Sequence, residues 1–288
     1  MKTVEYWLAR LVLATLSYTS LSTANALARF YVRVLDMALP RLRRTALKNL
    51  ETAGFAGRER ITTGVFDSIA RLVVSFARFP SITRENVGDW IRYEGLENFE
   101  QARGQGKGVL VATGHLGNWE LSAFAHAYLT APMHIVVRPI DNPGIDALVE
   151  TRRELSGNRA IPKKDAARGI LRALAAGEAV GVLIDQNTTA DQGVFIDFFG
   201  VKACAGSAFV KLAHHSGAAV VPGYALWSDK EGRYVLYFEP VVAMTGDIQQ
   251  DTQNVHARLE AAIRKHPEQW LWIHRRWKTR PSGEKPIY

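Results

Sequence analysis

A chain of 288 residues, 47% hydrophobic and 22% charged, can bury a sizeable core, which excludes intrinsic disorder. Its single cysteine, Cys204, excludes a disulfide framework, and no Cys/His cluster has zinc-ligand spacing. The net charge of +8 is uneven: residues 1–100 carry +4, 101–263 carry −1 and 264–288 carry +5. A neutral centre argues against a nucleic-acid enzyme, whose catalytic face would be basic, whereas basic ends suit an anionic membrane surface or an acidic protein.

Between Arg10 and Arg29 lie 18 uncharged residues, about the shortest stretch that spans a bilayer of roughly 30 Å. Seven of them are Ser, Thr or Asn, many for a lipid-exposed span, so a helix lying in the interface competes with one that crosses. Membrane contact is expected for a helix over about 6–36, in preference to a soluble core helix or a cleaved signal peptide. If the segment spans, Arg29, Arg33, Arg41, Arg43, Arg44 and Lys48 hold the downstream chain in the cytoplasm. Pro40 opens a second helix at about 41–53, ended by Gly54, and a third runs from 60 to 79 and stops at Pro80. Residues 1–80 thus read as a helical N-terminal layer.

From residue 90 the pattern changes to strands at 90–95, 108–113, 133–138, 179–184 and 219–227, with 234–241 closing a hairpin. Helices are expected at about 118–130, 144–156, 165–177, 206–216 and 252–266. Such alternation predicts an α/β domain over 81–288, with a largely parallel central sheet flanked by helices.

The most informative segment is GVLVATGHLGNWE, 108–120, which reads as buried strand, Gly-containing turn and helix start. Ligands of open α/β sheets gather at such carboxyl ends of strands. His115 falls in the turn and Glu120 in the first helical turn, where the helix dipole favours a carboxylate. The spacing lets Glu120 meet one imidazole nitrogen, leaving the other as a general base; a hydrogen-bonded structural histidine fits the residues equally well. Asn118 suits the helix N-cap better than a catalytic role, and Trp119 suits packing or a channel wall. Gly106-Lys107-Gly108 precedes its strand and is no phosphate loop, while His214 and His215 lack a third ligand at metal spacing.

His115-Leu-Gly-Asn-Trp-Glu120 resembles the His-x4-Asp/Glu signature of the bacterial lipid A biosynthesis acyltransferases, the lauroyl/myristoyl transferases. The resemblance continues in order through VVRPIDNP (136–143), LIDQN (183–187), GVFIDFFG (193–200), 205–222 and HPEQWLWIHRRWKTRP (266–281). It implies a glycerol-3-phosphate acyltransferase-like fold and transfer of an acyl chain from a thioester to a hydroxyl of a lipid A-type glycolipid at the cytoplasmic face of the inner membrane. The motifs report the reaction and not the acceptor, so another glycolipid or an aminolipid, or a non-catalytic lipid binder of the same fold, stands beside it. The resemblance implies an acyl donor carried on acyl carrier protein or coenzyme A, and neither cofactor nor metal is expected.

On that resemblance His115 is the base and Glu120 its partner, with Arg138 and Asp185 the further polar residues of the site. Both follow apolar strands, so Arg138 suits an oxyanion or a phosphate and Asp185 the same edge of the sheet. Gln186 and Asn118 complete the candidate substrate-binding set, and Phe198 and Phe199 are candidates for the acyl channel or simply for core. In WLWIHRRWKTRP, Trp270, Trp272 and Trp277 interleave with arginines, which fits a membrane interface or a sheet end with tryptophans inward and arginines outward.

Overall fold

The computed structural model describes residues 2–164 and 166–288. Its N-terminal layer comprises α1 (Lys2–Tyr18), α2 (Leu21–Ala38), α3 (Pro40–Thr52) and α4 (Arg58–Arg78). Next come α5 (Val87–Trp90), β1 (Ile91–Glu94), α6 (Leu96–Arg103), β2 (Val109–Thr113), α7 (Trp119–Leu129), β3 (His134–Val137) and α8 (Pro143–Glu154). The chain continues with β4 (Arg159–Pro162), α9 (Ala166–Ala175), β5 (Ala179–Leu183), and the hairpin β6 (Gly193–Phe198) and β7 (Val201–Gly206). It ends with α10 (Ala208–Ser216), β8 (Ala219–Ser228), β9 (Arg233–Phe238) and α11 (Ile248–Lys265).

Seven strands form one sheet in the order β1-β9-β8-β2-β5-β3-β4. All neighbours are parallel except β8 and β9, the expected hairpin. Strand β2 is central and covered on both faces, which is why it reads as an unbroken apolar run. Its alternate residues divide the core: Val109 and Val111 pack toward α7 and the N-terminal helices, and Leu110 and Ala112 toward α9 and α10. The mixed α/β architecture with a mostly parallel sheet is therefore as the alternation of elements predicts.

The single helix expected over 6–36 is two, because Thr19 and Ser20 interrupt it and the Ser20 hydroxyl accepts from Thr23 N–H as the N-cap of α2. Both helices pack against α4 through Leu13, Leu16, Ala24, Ala28 and Val32. Ser17 donates to Ala77 O at 2.7 Å and Arg78 Nε to Leu16 O at 2.9 Å, locking the break in place. No helix among the described residues is long and apolar enough to cross a membrane. The outer face of α1 nevertheless exposes Val4, Trp7, Leu8 and Leu11 at helical spacing, with Trp7 58% accessible.

Strand β4 and the β6–β7 hairpin go beyond the expected strands. The C-terminal WLWIHRRWKTRP is not a sheet end but a run of turns after a short bridge between Leu116 and Trp270. Its tryptophans point inward as expected, yet Arg276 does too: it is fully buried, donates to Cys204 O at 2.6 Å and lies over the Phe198 ring.

Candidate active site

Strand β2 delivers the chain to the sheet's carboxyl edge, and a tight turn through Gly114–Gly117 carries it into α7. Gly117 has φ +63°, and a Cβ there would lie 1.9 Å from Ala225 O, so only glycine fits. The turn is anchored on both sides: Gly117 N–H donates to Gln269 O, Asn118 N–H to Ala225 O, and His115 O accepts from Leu271 N–H. Asn118 is the N-cap of α7, accepting from Leu121 N–H at 3.0 Å and donating to Ser75 Oγ at 2.6 Å. It is fully buried, so its amide serves the turn and is not presented to a substrate.

The neighbouring strand β5 ends two residues before Asp185, and this carboxylate is the partner of His115. Asp185 Oδ1 lies 2.9 Å from His115 Nδ1. Asp185 Oδ2 accepts from the His115 backbone N–H at 2.8 Å and from the Trp270 indole N–H at 2.8 Å. The carboxylate is 3% exposed and the imidazole 16%. Burial pulls the His115 pKa down, but the charge and hydrogen bond of Asp185 prevail and hold it above the usual 6.5. Burial likewise pushes Asp185 up, and the His115 imidazolium with its hydrogen bonds and the Trp270 indole overcomes this and holds the carboxyl well below its usual range.

Glu120 does not meet His115. Its two oxygens accept from Arg153 Nε and Nη2 at 2.9 and 2.6 Å, a bidentate pair between α7 and α8. The reason is geometric: Asp185 reaches both the ring and the backbone of His115 from the adjacent strand, while Glu120 points along α7 toward the α8 side. Arg153 lies in the last turn of α8, where no local motif marks it. The aromatic donor Trp270 is more distant still, 85 residues from Asp185.

Between α7 and the sheet lies a mostly apolar cavity of about 740 Å³, its opening included. Trp119, Glu120 and Thr113 line it near the His115 turn, with Val111, Ile135, Val137 and Leu183 along its wall and Met133 and His126 farther down. A smaller cavity of about 190 Å³ holds His115 with Gly117, Trp270 and Leu271, and Trp119 borders both. The Trp119 ring stands edge-on to His115 at 4.9 Å. Phe198 and Phe199 line neither; they pack with Trp270, Trp272 and Trp277 in the core beneath the β6–β7 hairpin. Arg138 follows β3 at the same sheet edge and Gln186 follows Asp185, both exposed and forming no hydrogen bond or ion pair with a described residue.

Among the described residues no group of three or more His, Cys, Asp or Glu side chains is arranged to hold a metal ion. What the site offers is a histidine oriented by a buried carboxylate beside an apolar cavity.

The family described as bacterial lipid A biosynthesis acyltransferase matches residues 1–279. The chain is 31% identical over 294 residues to lipid A biosynthesis palmitoleoyltransferase of Escherichia coli (strain K12), covering 99% of this chain and 95% of that protein. It is 31% identical over 205 residues to lipid A biosynthesis lauroyltransferase of the same organism, covering 70% and 66%. To the lipid A biosynthesis myristoyltransferase of that organism it is 24% identical over 252 residues, covering 85% and 78%. A match over nearly the whole chain, joined to the His115 site at the sheet's carboxyl edge, makes this protein an acyltransferase that belongs to the bacterial lipid A biosynthesis acyltransferase family.

Proposed function

We propose that this acyltransferase moves a fatty acyl chain from a thioester, carried on acyl carrier protein or coenzyme A, to a hydroxyl of a lipid A-type glycolipid, with His115 as general base. The observation that carries the reading is the His115–Asp185 pair, with Trp119 packed against His115 and lining a cavity that suits an acyl chain. Asp185 holds Nδ1 as the protonated nitrogen, so Nε2 is free to accept.

In this mechanism Nε2 takes the proton of the acceptor hydroxyl as its oxygen attacks the thioester carbonyl carbon. Asp185 stabilises the imidazolium that forms. Collapse of the tetrahedral intermediate makes the C–O ester bond, breaks the C–S bond, and returns the proton from His115 to the leaving thiolate. The oxyanion forms close to the first turn of α7, whose positive dipole end points at this edge. Glu120 and Arg153 brace the upper wall of the acyl cavity, and Arg138 and Gln186 stand where a polar headgroup or the donor's phosphates would arrive.

Arg138 follows β3, Lys163 and Lys164 follow β4, and Arg168 lies in the first turn of α9, a basic run that suits an anionic donor carrier. The exposed Val4, Trp7, Leu8 and Leu11 stripe of α1, flanked by Arg10, favours a helix lying in the membrane interface over a spanning one. That stripe and the basic N-terminal layer support association with the cytoplasmic face of the inner membrane.

The test is mass spectrometry of the host's membrane lipids with the gene present, deleted, and carrying His115→Ala. A glycolipid lighter by one acyl group in both the deletion and the variant is expected. An unchanged lipid profile in the deletion would overturn the acceptor assignment, and normal acylation by the variant would overturn His115 as the base.

A further inference from the structure

The acyl cavity ends on two side chains that also face a second space. Met133 and His126 line the bottom of the cavity between α7 and the sheet, and both also line a separate pocket of about 800 Å³, opening included, beneath the sheet's amino edge. Among the described residues only these two are shared between the two spaces. We propose that Met133 and His126 are the floor of the acyl channel, and that the side chain at position 133 sets the length of acyl chain the enzyme accepts. This deepens the proposed reaction and rests on the cavity being the acyl site.

The two halves of the floor differ in rigidity. His126 Nδ1 is 2.7 Å from Tyr93 OH, and its ring is wedged edge-on against Phe99 at 4.6 Å and Phe238 at 5.7 Å. Burial keeps this imidazole neutral, with its pKa pushed down to about 4. Met133 has an unbranched, adaptable side chain held only by packing. Its backbone, in contrast, is pinned: Met133 N–H donates to Asn158 Oδ1 at 2.9 Å, and Asn158 Nδ2 donates to Ala123 O of α7 at 2.8 Å. A change of side chain at 133 therefore alters the floor without moving the strand that carries it.

Strand β5 leaves room for that side chain. Gly181 lies beside it, and a Cβ on Gly181 would come within 2.9 Å of Met133 Cε. The backbone fixes how far down the floor residues stand, and the side chain at 133 fixes where the channel ends: Glu120 to His126 is ~9 Å along α7, and Val137 to Met133, just before β3, is ~13 Å. Beyond this depth a longer tail meets the Met133 side chain, and past that side chain lies the open lower pocket.

The test uses the purified full chain and saturated acyl-coenzyme A thioesters, an even-numbered series from octanoyl to stearoyl. Affinity should rise about fifteenfold per added pair of methylenes while the chain still enters the channel, then level at a break length. Met133→Ala should move the break to longer chains by at least one step, and Met133→Phe or Gly181→Ala to shorter ones. A break at the same length in all three variants would overturn the floor, and should Met133→Ala fail to fold, the other two decide the question. In parallel, transfer to under-acylated lipid A from the host lacking the gene should track the same break. Wild-type binding with no transfer at any length would count against the proposed reaction, while the position of the break would still judge the floor.

Discussion

Replacing Asp185 by Asn exchanges one carboxylate oxygen for an NH2 group and should remove most of the catalysis while leaving the fold. Asp185 Oδ2 accepts from His115 N–H and from the Trp270 indole, both at 2.8 Å, and an amide oxygen placed there keeps both bonds. The amide nitrogen then faces His115 Nδ1 across the 2.9 Å now spanned by Oδ1. An NH2 group only donates, so Nδ1 becomes the acceptor and the ring proton moves to Nε2, the atom that must accept from the substrate. The imidazolium also loses its counter-charge. The same exchange in a Ser-His-Asp triad costs about 10⁴-fold in turnover, ~5 kcal/mol of barrier. Residual activity should show a displaced pH profile. In the wild type the carboxylate holds the His115 pKa above its usual value, so the neutral base builds up, and the rate rises, as the pH climbs through that raised pKa. Without the carboxylate, burial dominates and the rising limb moves to lower pH. The assay is single-turnover acyl transfer across pH, beside thermal unfolding to show that the variant is folded. Glu120→Gln is the control, because Glu120 bonds to Arg153 and adds only a lesser charge effect on His115; it should displace the limb less than Asp185→Asn does. Turnover by Asp185→Asn within about tenfold of wild type, or a limb displaced more by Glu120→Gln, would refute the assignment of Asp185 as the orienting carboxylate.

Two other variants probe the wall of the cavity and the outer helix. Arg153→Ala leaves the Glu120 carboxylate, 12% exposed, without its bidentate partner; a loss of about 3 kcal/mol in unfolding free energy is expected, and an unchanged denaturation midpoint would show the pair to be dispensable. Replacing Trp7, Leu8 and Leu11 together by Ser removes most of the apolar stripe on α1 without touching Leu13 or Leu16, which face α4. Flotation with vesicles containing anionic lipid should then drop sharply while the soluble fold persists, and undiminished flotation would move the membrane contact elsewhere on the molecule.

The legible and the hidden parts of this molecule divide along chemical lines. Strands β2 and β8 are readable in the sequence because burial on both faces forces continuous apolar runs, β5 is readable from its apolar run, and helices return the chain to the same edge of the sheet. Position at that edge is readable too: His115 and Asp185 each come after such a run, so a shared locale needs no pairing information. Which carboxylate meets the imidazole is not readable, since a five-residue separation in sequence makes Glu120 the natural partner while the register of β2 and β5 decides for Asp185 instead. Arg153 stays hidden because nothing local in α8 marks it, and although the segment of Trp270 stands out by its aromatics, its bond to Asp185 spans 85 residues and cannot be read from either segment. The N-terminal segment departs from expectation for a different cause. Its length without charge suggests one helix, but its Ser and Thr residues are spent on local bonds: Ser20 caps α2, and Ser17 ties α1 to α4. Polar residues that look like a flaw in a membrane span are thus the devices that break the helix and fasten it to the domain. That fastening turns the remaining apolar face of α1 outward, where it can meet a bilayer while the His115 turn stays tied to the sheet.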